Sequence, residues 1–264
     1  MMGYREEKLS CLERALGLTC PHAFSTRLGG VSKGIFATMN LGMNRGDDAA
    51  AVKVNWDIFL DAAGISRKEF VCGRQVHGNH VHVAGSSDLR PAYGEGELIE
   101  ADGYVTNEKR VPLAIFTADC VPLLMEDSEN GVVAAVHCGW RSTVSDIEGE
   151  AVSKMAELGA VPDRIRAALG PAIDGCCFEV GPEVKDAVEE LLKEDCSDLY
   201  EERTGGKYLL NLRGVVKRRL IRLGLRSENI ELVGGCTMCH PDKYWSHRVT
   251  HGERGSMASV IELP

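Results

Sequence analysis

A chain of 264 residues, 44% hydrophobic and 26% charged, has the composition of an ordinary soluble globular protein and is long enough for a core that needs no staples. Its formal net charge of −9 argues against a nucleic-acid-binding face, while leaving room for a local basic pocket. No apolar run approaches the ~18 residues of a membrane span. The opening MMGYREEKLSCLERALGLTC lacks the apolar core of a signal peptide, so the ten cysteines read as reduced cytoplasmic thiols, some of them serving a metal.

In chain order, residues 22–34 (HAFSTRLGGVSKG) form a short strand entering a glycine-rich turn. Arg27 beside Gly29-Gly30 can offer a guanidinium and free amides to an anion, or simply sit in a turn. Asp47 or Asp48 caps a helix with Val52, Trp56, Phe59, Leu60 and Ala63 on one face, ended by Gly64. Residues 70–83 (FVCGRQVHGNHVHV) read as two strands interrupted at Gly78. His77 stands at a strand end, and His80 and His82 alternate onto one face, a spacing that either ligates metal or faces solvent. Residues 84–100 form a polar loop, a candidate lid, before Ala101-Asp102-Gly103 leads into another strand.

The stretch from Leu113 to Thr143 concentrates the chemistry. Apolar runs at Val121–Met125 and Val132–Val136 flank a polar loop ending in Asn130-Gly131, the pattern of a β-hairpin. Folded about residues 128–129, the hairpin sets Cys120 opposite His137, with Cβ atoms ~4.5–5.5 Å apart. A thiolate and an imidazole so placed can share a zinc or copper ion, or act as nucleophile and base. A slip of one residue sets Cys138 opposite Cys120 instead. Beyond Trp140-Arg141, Ser145-x-x-Glu148 fits a capping box, and Val144, Ile147, Ala151, Met155 and Leu158 keep a helical period. The start of that helix, with Arg141, suits an anion.

Ile165–Leu169 is the next strand, Pro182 opens a helix, and residues 195–207 read as a polar loop. Asn211 caps a further helix, Ile230–Val233 is a strand, and the tail is irregular before a last strand. Alternating strands and helices with hairpins define a single α/β domain, residues 1–264, on mixed sheets. Cys236-x-x-Cys239-His240 matches a haem-attachment pattern, which an unexported chain would not use, and Cys176-Cys177 lacks the spacing of a partner CxxC. Dinucleotide, P-loop and nucleophile-elbow motifs are absent.

Taken together, FSTRLGGVS (24–32), NLG (40–42), QVHG (75–78), ADG (101–103), TADC (117–120), AVHCGWR (135–141), LGPAI (169–173), CCFEVG (176–181) and SHR (246–248) resemble the laccase-domain family, once labelled multicopper polyphenol oxidases and regarded as purine nucleoside phosphorylases. The likeness spans nearly the whole chain. It implies an α/β fold of the YfiH type, in which mixed sheets form a sandwich core flanked by helices, also likened to cysteine hydrolases. It implies a catalytic zinc, with copper as the alternative, on His77, Cys120 and His137. The implied reactions are phosphorolysis of adenosine, inosine and methylthioadenosine, with adenosine deamination beside it. Purine nucleosides and phosphate are the implied partners, for a monomer or small homo-oligomer. Arg27, Arg141 and Arg248 are the phosphate and substrate candidates, and Asp119, Asp102 and Glu179 the acid/base candidates, with Cys120 and His137 at the reaction centre. Cys138, His247, Cys239 and His240 depart from the usual pattern of the family. The rival readings are a copper phenol oxidase, a Cys120/His137 cysteine hydrolase, and a non-catalytic zinc that holds the fold.

Overall fold

A computed structural model of the chain describes residues 11–94 and 97–264. The first ten residues, part of the stretch read as lacking a signal peptide, and residues 95–96 of the 84–100 loop lie outside that description. In chain order, β1 (Leu12–Glu13) and β2 (His22–Ser25) precede helix α1 (Ala49–Ala63). There follow β3 (Val81–Val83), β4 (Gly103–Thr106), β5 (Leu113–Thr117), β6 (Val121–Asp127) and β7 (Val132–Cys138). Then come α2 (Trp140–Val144), α3 (Ile147–Glu157), β8 (Arg166–Leu169), β9 (Glu179–Val180) and α4 (Pro182–Leu192). The last elements are β10 (Tyr200–Arg203), β11 (Lys207–Leu210), α5 (Leu212–Arg222), β12 (Ile230–Leu232), α6 (His247–Thr250) and β13 (Met257–Ile261).

The strands form a six-stranded mixed sheet, β12-β8-β6-β7-β4-β3, a four-stranded sheet, β1-β2-β13-β5, and a small sheet, β10-β11-β9. The two larger sheets bury one face against each other. Leu124, Val133 and Ala135 from one meet Phe24, Leu113, Ile115 and Ile261 from the other. Alternation sends the intervening residues outward. Leu123, Met125, Ala134 and Val136 pack against Ile147, Ala151 and Met155 of α3 and against α4 and α5. On the opposite side, Ala114, Ala258 and Val260 pack on Val52, Trp56, Phe59 and Leu60 of α1. The order is helix, sheet, sheet, helices, the sandwich between helices that the family resemblance implies. Local chemistry sets the helix ends as read: Asp48 accepts from the Ala50 amide, Asn211 from the Gly214 amide, and Gly64 closes α1 at φ 77°.

Leu113–Thr117 pairs with β13 in the smaller of the two main sheets, so the chain crosses between sheets at Ala118-Asp119-Cys120. Three local expectations are corrected. The β6–β7 hairpin pairs Pro122 with His137 and Val121 with Cys138, two residues from the expected register. The turn begins later because the Asp127 carboxylate accepts from the amide and side chain of Asn130, and Gly131 leaves the turn at φ 66°. An even offset preserves the face of every side chain, since strand alternation has period two. Residues 200–210 form a hairpin, where a polar loop was expected, because Tyr200 and Tyr208 pack edge to face and Gly205-Gly206 supply positive φ in the turn. The helix after Trp140 breaks in two: Ser145 ends α2, and Asp146, at φ 65°, caps α3 by accepting from the Gly149 amide. Glu148 accepts from the Thr143 hydroxyl and closes no capping box on Ser145.

Cys138 faces the helix layer, opposite in direction to His137, and is fully buried with Ile147 and Ala151. Burial pushes its thiol pKa well up, and the neighbouring buried Glu148 adds to the shift. Cys138→Ala should retain the metal content of the wild type and lower the unfolding free energy by about 1 kcal/mol through one small cavity. Urea denaturation with metal analysis checks both.

Candidate metal centre and its cleft

His77, Cys120 and His137 come from three different parts of the fold, and their ligand atoms all lie within 4.8 Å of one another. His137 ends the sandwich-facing row of β7. Cys120 is the last residue of the crossover between sheets. His77 sits in the loop before β3, at φ 59°, a region non-glycine residues seldom adopt. One carboxylate holds that conformation. Asp102 accepts from the amides of Val76 (3.0 Å), His77 (3.0 Å) and Gly78 (2.9 Å). The same carboxylate contacts His137 Nδ1 at 2.8 Å, which leaves Nε2 for a ligand. Asp119, at φ 89°, is anchored as well: it accepts from the Thr237 hydroxyl at 2.6 Å and the Arg248 amide at 2.7 Å. Glycine at 139 is a steric requirement, because a Cβ there would lie 2.7 Å from His77 Nδ1 and 3.3 Å from Cys120 Sγ.

Two imidazoles and a thiol in this spacing, one imidazole oriented by a buried carboxylate, suit a borderline-soft ion such as zinc or copper. Burial works against charge on His137, but Cys120 and the Asp102 hydrogen bond outweigh it and raise its pKa to about 9. Burial and the neighbouring His137 lower that of His77. Asp102 is held below the usual carboxylate range despite its burial, because His137 and the amides of Gly78 and Val76 bind the ionised form. A metal binding at neutral pH therefore displaces a proton from His137.

The cluster opens into a cleft of about 790 Å³. Arg45, Arg74, Arg90, Arg141, Arg248 and Arg254 line it, with Asp119 the one carboxylate among the described lining residues. Arg254 is 8% exposed; its Nε finds no partner, and burial beside Arg45 lowers its pKa to about 10. Of the sequence candidates, Asp119, Arg141 and Arg248 thus line the cleft with the three ligands. Two do not. Arg27 donates to the carbonyls of Pro241 and Ala37 and stacks on Trp245, so it braces the tail. Glu179 sits on β9 with its side chain exposed, and it is Phe178 that reaches the cleft. His80 and His82 stay outside as well, His82 contacting Asp88 at 3.0 Å. Arg45 and Arg254 escaped the reading of the sequence because they stand in loops without periodicity, more than two hundred residues apart.

The fold and site define a mixed-sheet α/β protein with a His-Cys-His cluster, able to hold a metal ion, at the floor of a basic cleft. A family described as multi-copper polyphenol oxidoreductase laccase matches residues 21–264, and the chain belongs to that family. A purine nucleoside phosphorylase of Deinococcus radiodurans is 38% identical over 96% of this chain and 93% of its own length. Another, from Corynebacterium glutamicum, is 36% identical over 91% and 93%. Among solved structures, YlmD from Geobacillus stearothermophilus superimposes with a TM-score of 0.88 at 30% identity, covering 94% of each chain. Bacillus licheniformis YfiH, titled a hypothetical protein, gives 0.86 at 29%, covering 92% of each.

Asp102→Ala should keep the fold and weaken metal binding at this site roughly 10- to 100-fold, because it releases both His77 and His137. Competition with a chromophoric chelator measures it. Cys120→Ala should remove the metal of this cluster with circular dichroism unchanged.

Proposed function

We propose that the chain is a zinc-dependent purine nucleoside phosphorylase, acting as one catalytic unit in the cytoplasm on inosine, adenosine and methylthioadenosine, with adenosine deamination as a side activity. The observation that carries the reading is the concentration of six arginines around an open His-Cys-His cluster in a chain of net charge −9. That arrangement suits an anionic co-substrate delivered to a metal-assisted centre. The names of the relatives support the same chemistry.

In phosphorolysis a phosphate oxygen bonds to the ribose carbon as the bond to the purine nitrogen breaks, and the purine leaves with a proton. Arg254, Arg45 and Arg141 neutralise and orient the phosphate, charge-assisted donors being the strong ones. Asp119, fixed by Thr237 and Arg248, faces the positive charge that develops on the ribose. When bound, the metal supplies Lewis acidity at the floor of the cleft. His137, oriented by Asp102, keeps one nitrogen directed there.

Incubated with inosine, the purified protein should release hypoxanthine and ribose 1-phosphate only when phosphate is present; equal rates without phosphate would make it a hydrolase. Arg254→Ala should raise KM for phosphate roughly 10- to 100-fold, the value of a charged hydrogen bond, with a smaller change in KM for inosine. A second reading has its own support: Cys120, His137 and Asp102 form a hydrogen-bonded chain of the kind that activates a thiolate nucleophile. Activity that survives complete metal removal would favour it. Copper-dependent phenol oxidation is the weaker rival, since the cluster draws on two of the eight histidines.

A further inference from the structure

Four cysteines remain unused by this chemistry. Cys176 and Cys177 follow one another before β9, and Cys236 and Cys239 lie in the tail, about sixty residues on. The sequence offers no spacing that joins them, yet the fold brings all four sulfurs within 4.8 Å of one another. Cys239 Sγ lies 3.5 Å from Cys176 Sγ and 3.4 Å from Cys177 Sγ. These separations are far beyond a disulfide bond of about 2.05 Å. They are close to the ~3.8 Å edge of a tetrahedron of thiolates around one ion at ~2.3 Å.

The scaffold beneath the sulfurs is built without help from a ligand. Ala172 and Cys236 form a parallel bridge, and the Thr237 amide donates to the Ala172 carbonyl at 3.0 Å. Asp174 accepts from the amides of Cys177 and Phe178 through its carbonyl, at 2.8 and 2.9 Å. Its own amide donates to Cys236 Sγ at 3.4 Å, and its carboxylate is paired with Arg213. The His240 amide closes the Cys236–Cys239 turn on the Cys236 carbonyl at 3.1 Å. Unligated structural cysteines are usually buried, whereas Cys176 and Cys239 are exposed. Two exposed thiols held against two others are a poor arrangement for packing and a good one for a soft cation.

We propose that Cys176, Cys177, Cys236 and Cys239 form a second metal site, which binds one zinc ion through four thiolates and clasps the 174–178 turn to the 236–240 turn. Four sulfur ligands close the coordination shell, which makes the site structural. The sulfur spacing fits one ion rather than a polynuclear cluster whose cysteines sit on separate metals. Its place in the fold gives it a task. The clasped turns carry Phe178 of the cleft wall and Thr237, which holds Asp119 beside Cys120, and Ile173 of the same wall directly precedes the first. The zinc thereby secures the wall of the substrate cleft from behind.

The test is metal analysis of tag-free full-length protein, purified in reductant with zinc supplied. Wild type should carry two zinc equivalents, Cys120→Ala one, and Cys239→Ser one. Cobalt exchanged into Cys120→Ala should give the intense sulfur-to-metal charge transfer of a tetrathiolate site. Cys120→Ala leaves the four cysteines untouched, so it decides the matter even if Cys239→Ser fails to fold. A single equivalent in wild type with none in Cys120→Ala would overturn the proposal, as would acid-labile sulfide with iron. A disulfide among the four in reduced protein would overturn it too.

Discussion

One buried carboxylate organises the centre. Asp102 binds three successive backbone amides, those of Val76, His77 and Gly78, and the far nitrogen of His137. Without those amide bonds nothing offsets the strain of a left-handed His77, which costs of order 1–3 kcal/mol. Without the His137 contact the imidazole has no fixed tautomer. Two of the three candidate ligands therefore depend on the same side chain, which is itself fully buried just before β4.

The third candidate ligand depends on topology. Cys120 ends a three-residue crossing between the two sheets of the sandwich, and a crossing that short leaves its backbone little freedom. Asp119 takes up the turn with a positive φ, and its carboxylate is tied to the tail through Thr237 and Arg248. The same tail brings Arg254 and, through Cys236 and Cys239, the thiol cluster. Irregular as it is, the segment after β12 supplies His247, Arg248, Arg254 and Ser256 to the cleft.

Charge is distributed against the overall balance. The protein is acidic as a whole, yet six arginines converge on one cleft with a single carboxylate among the described lining residues. Like charges gathered in this way repel one another, as the lowered pKa of Arg254 beside Arg45 reflects together with its burial.

What the sequence determined by itself is short-range. Asp48, Asn211 and Pro182 mark helix starts because capping needs only the next few residues, and strand alternation is enough to send His137 and Cys138 to opposite faces. The three residues of the His-Cys-His cluster were legible through family motifs, each a compact string, while their meeting was only half derivable: the hairpin was evident, but its register was off by two. Tertiary structure decided the rest. Leu113–Thr117 could join either sheet, since an apolar strand carries no label for its partner. Arg27 and Arg141 look equally apt in the sequence, and only packing shows that Trp245 and two carbonyls hold the first away from the cleft. The convergence of Arg45 with Arg254, and of Cys176-Cys177 with Cys236 and Cys239, depends on contacts between loops far apart in sequence. Loops have no periodicity from which such contacts can be read; their positions are set by the sheets they connect.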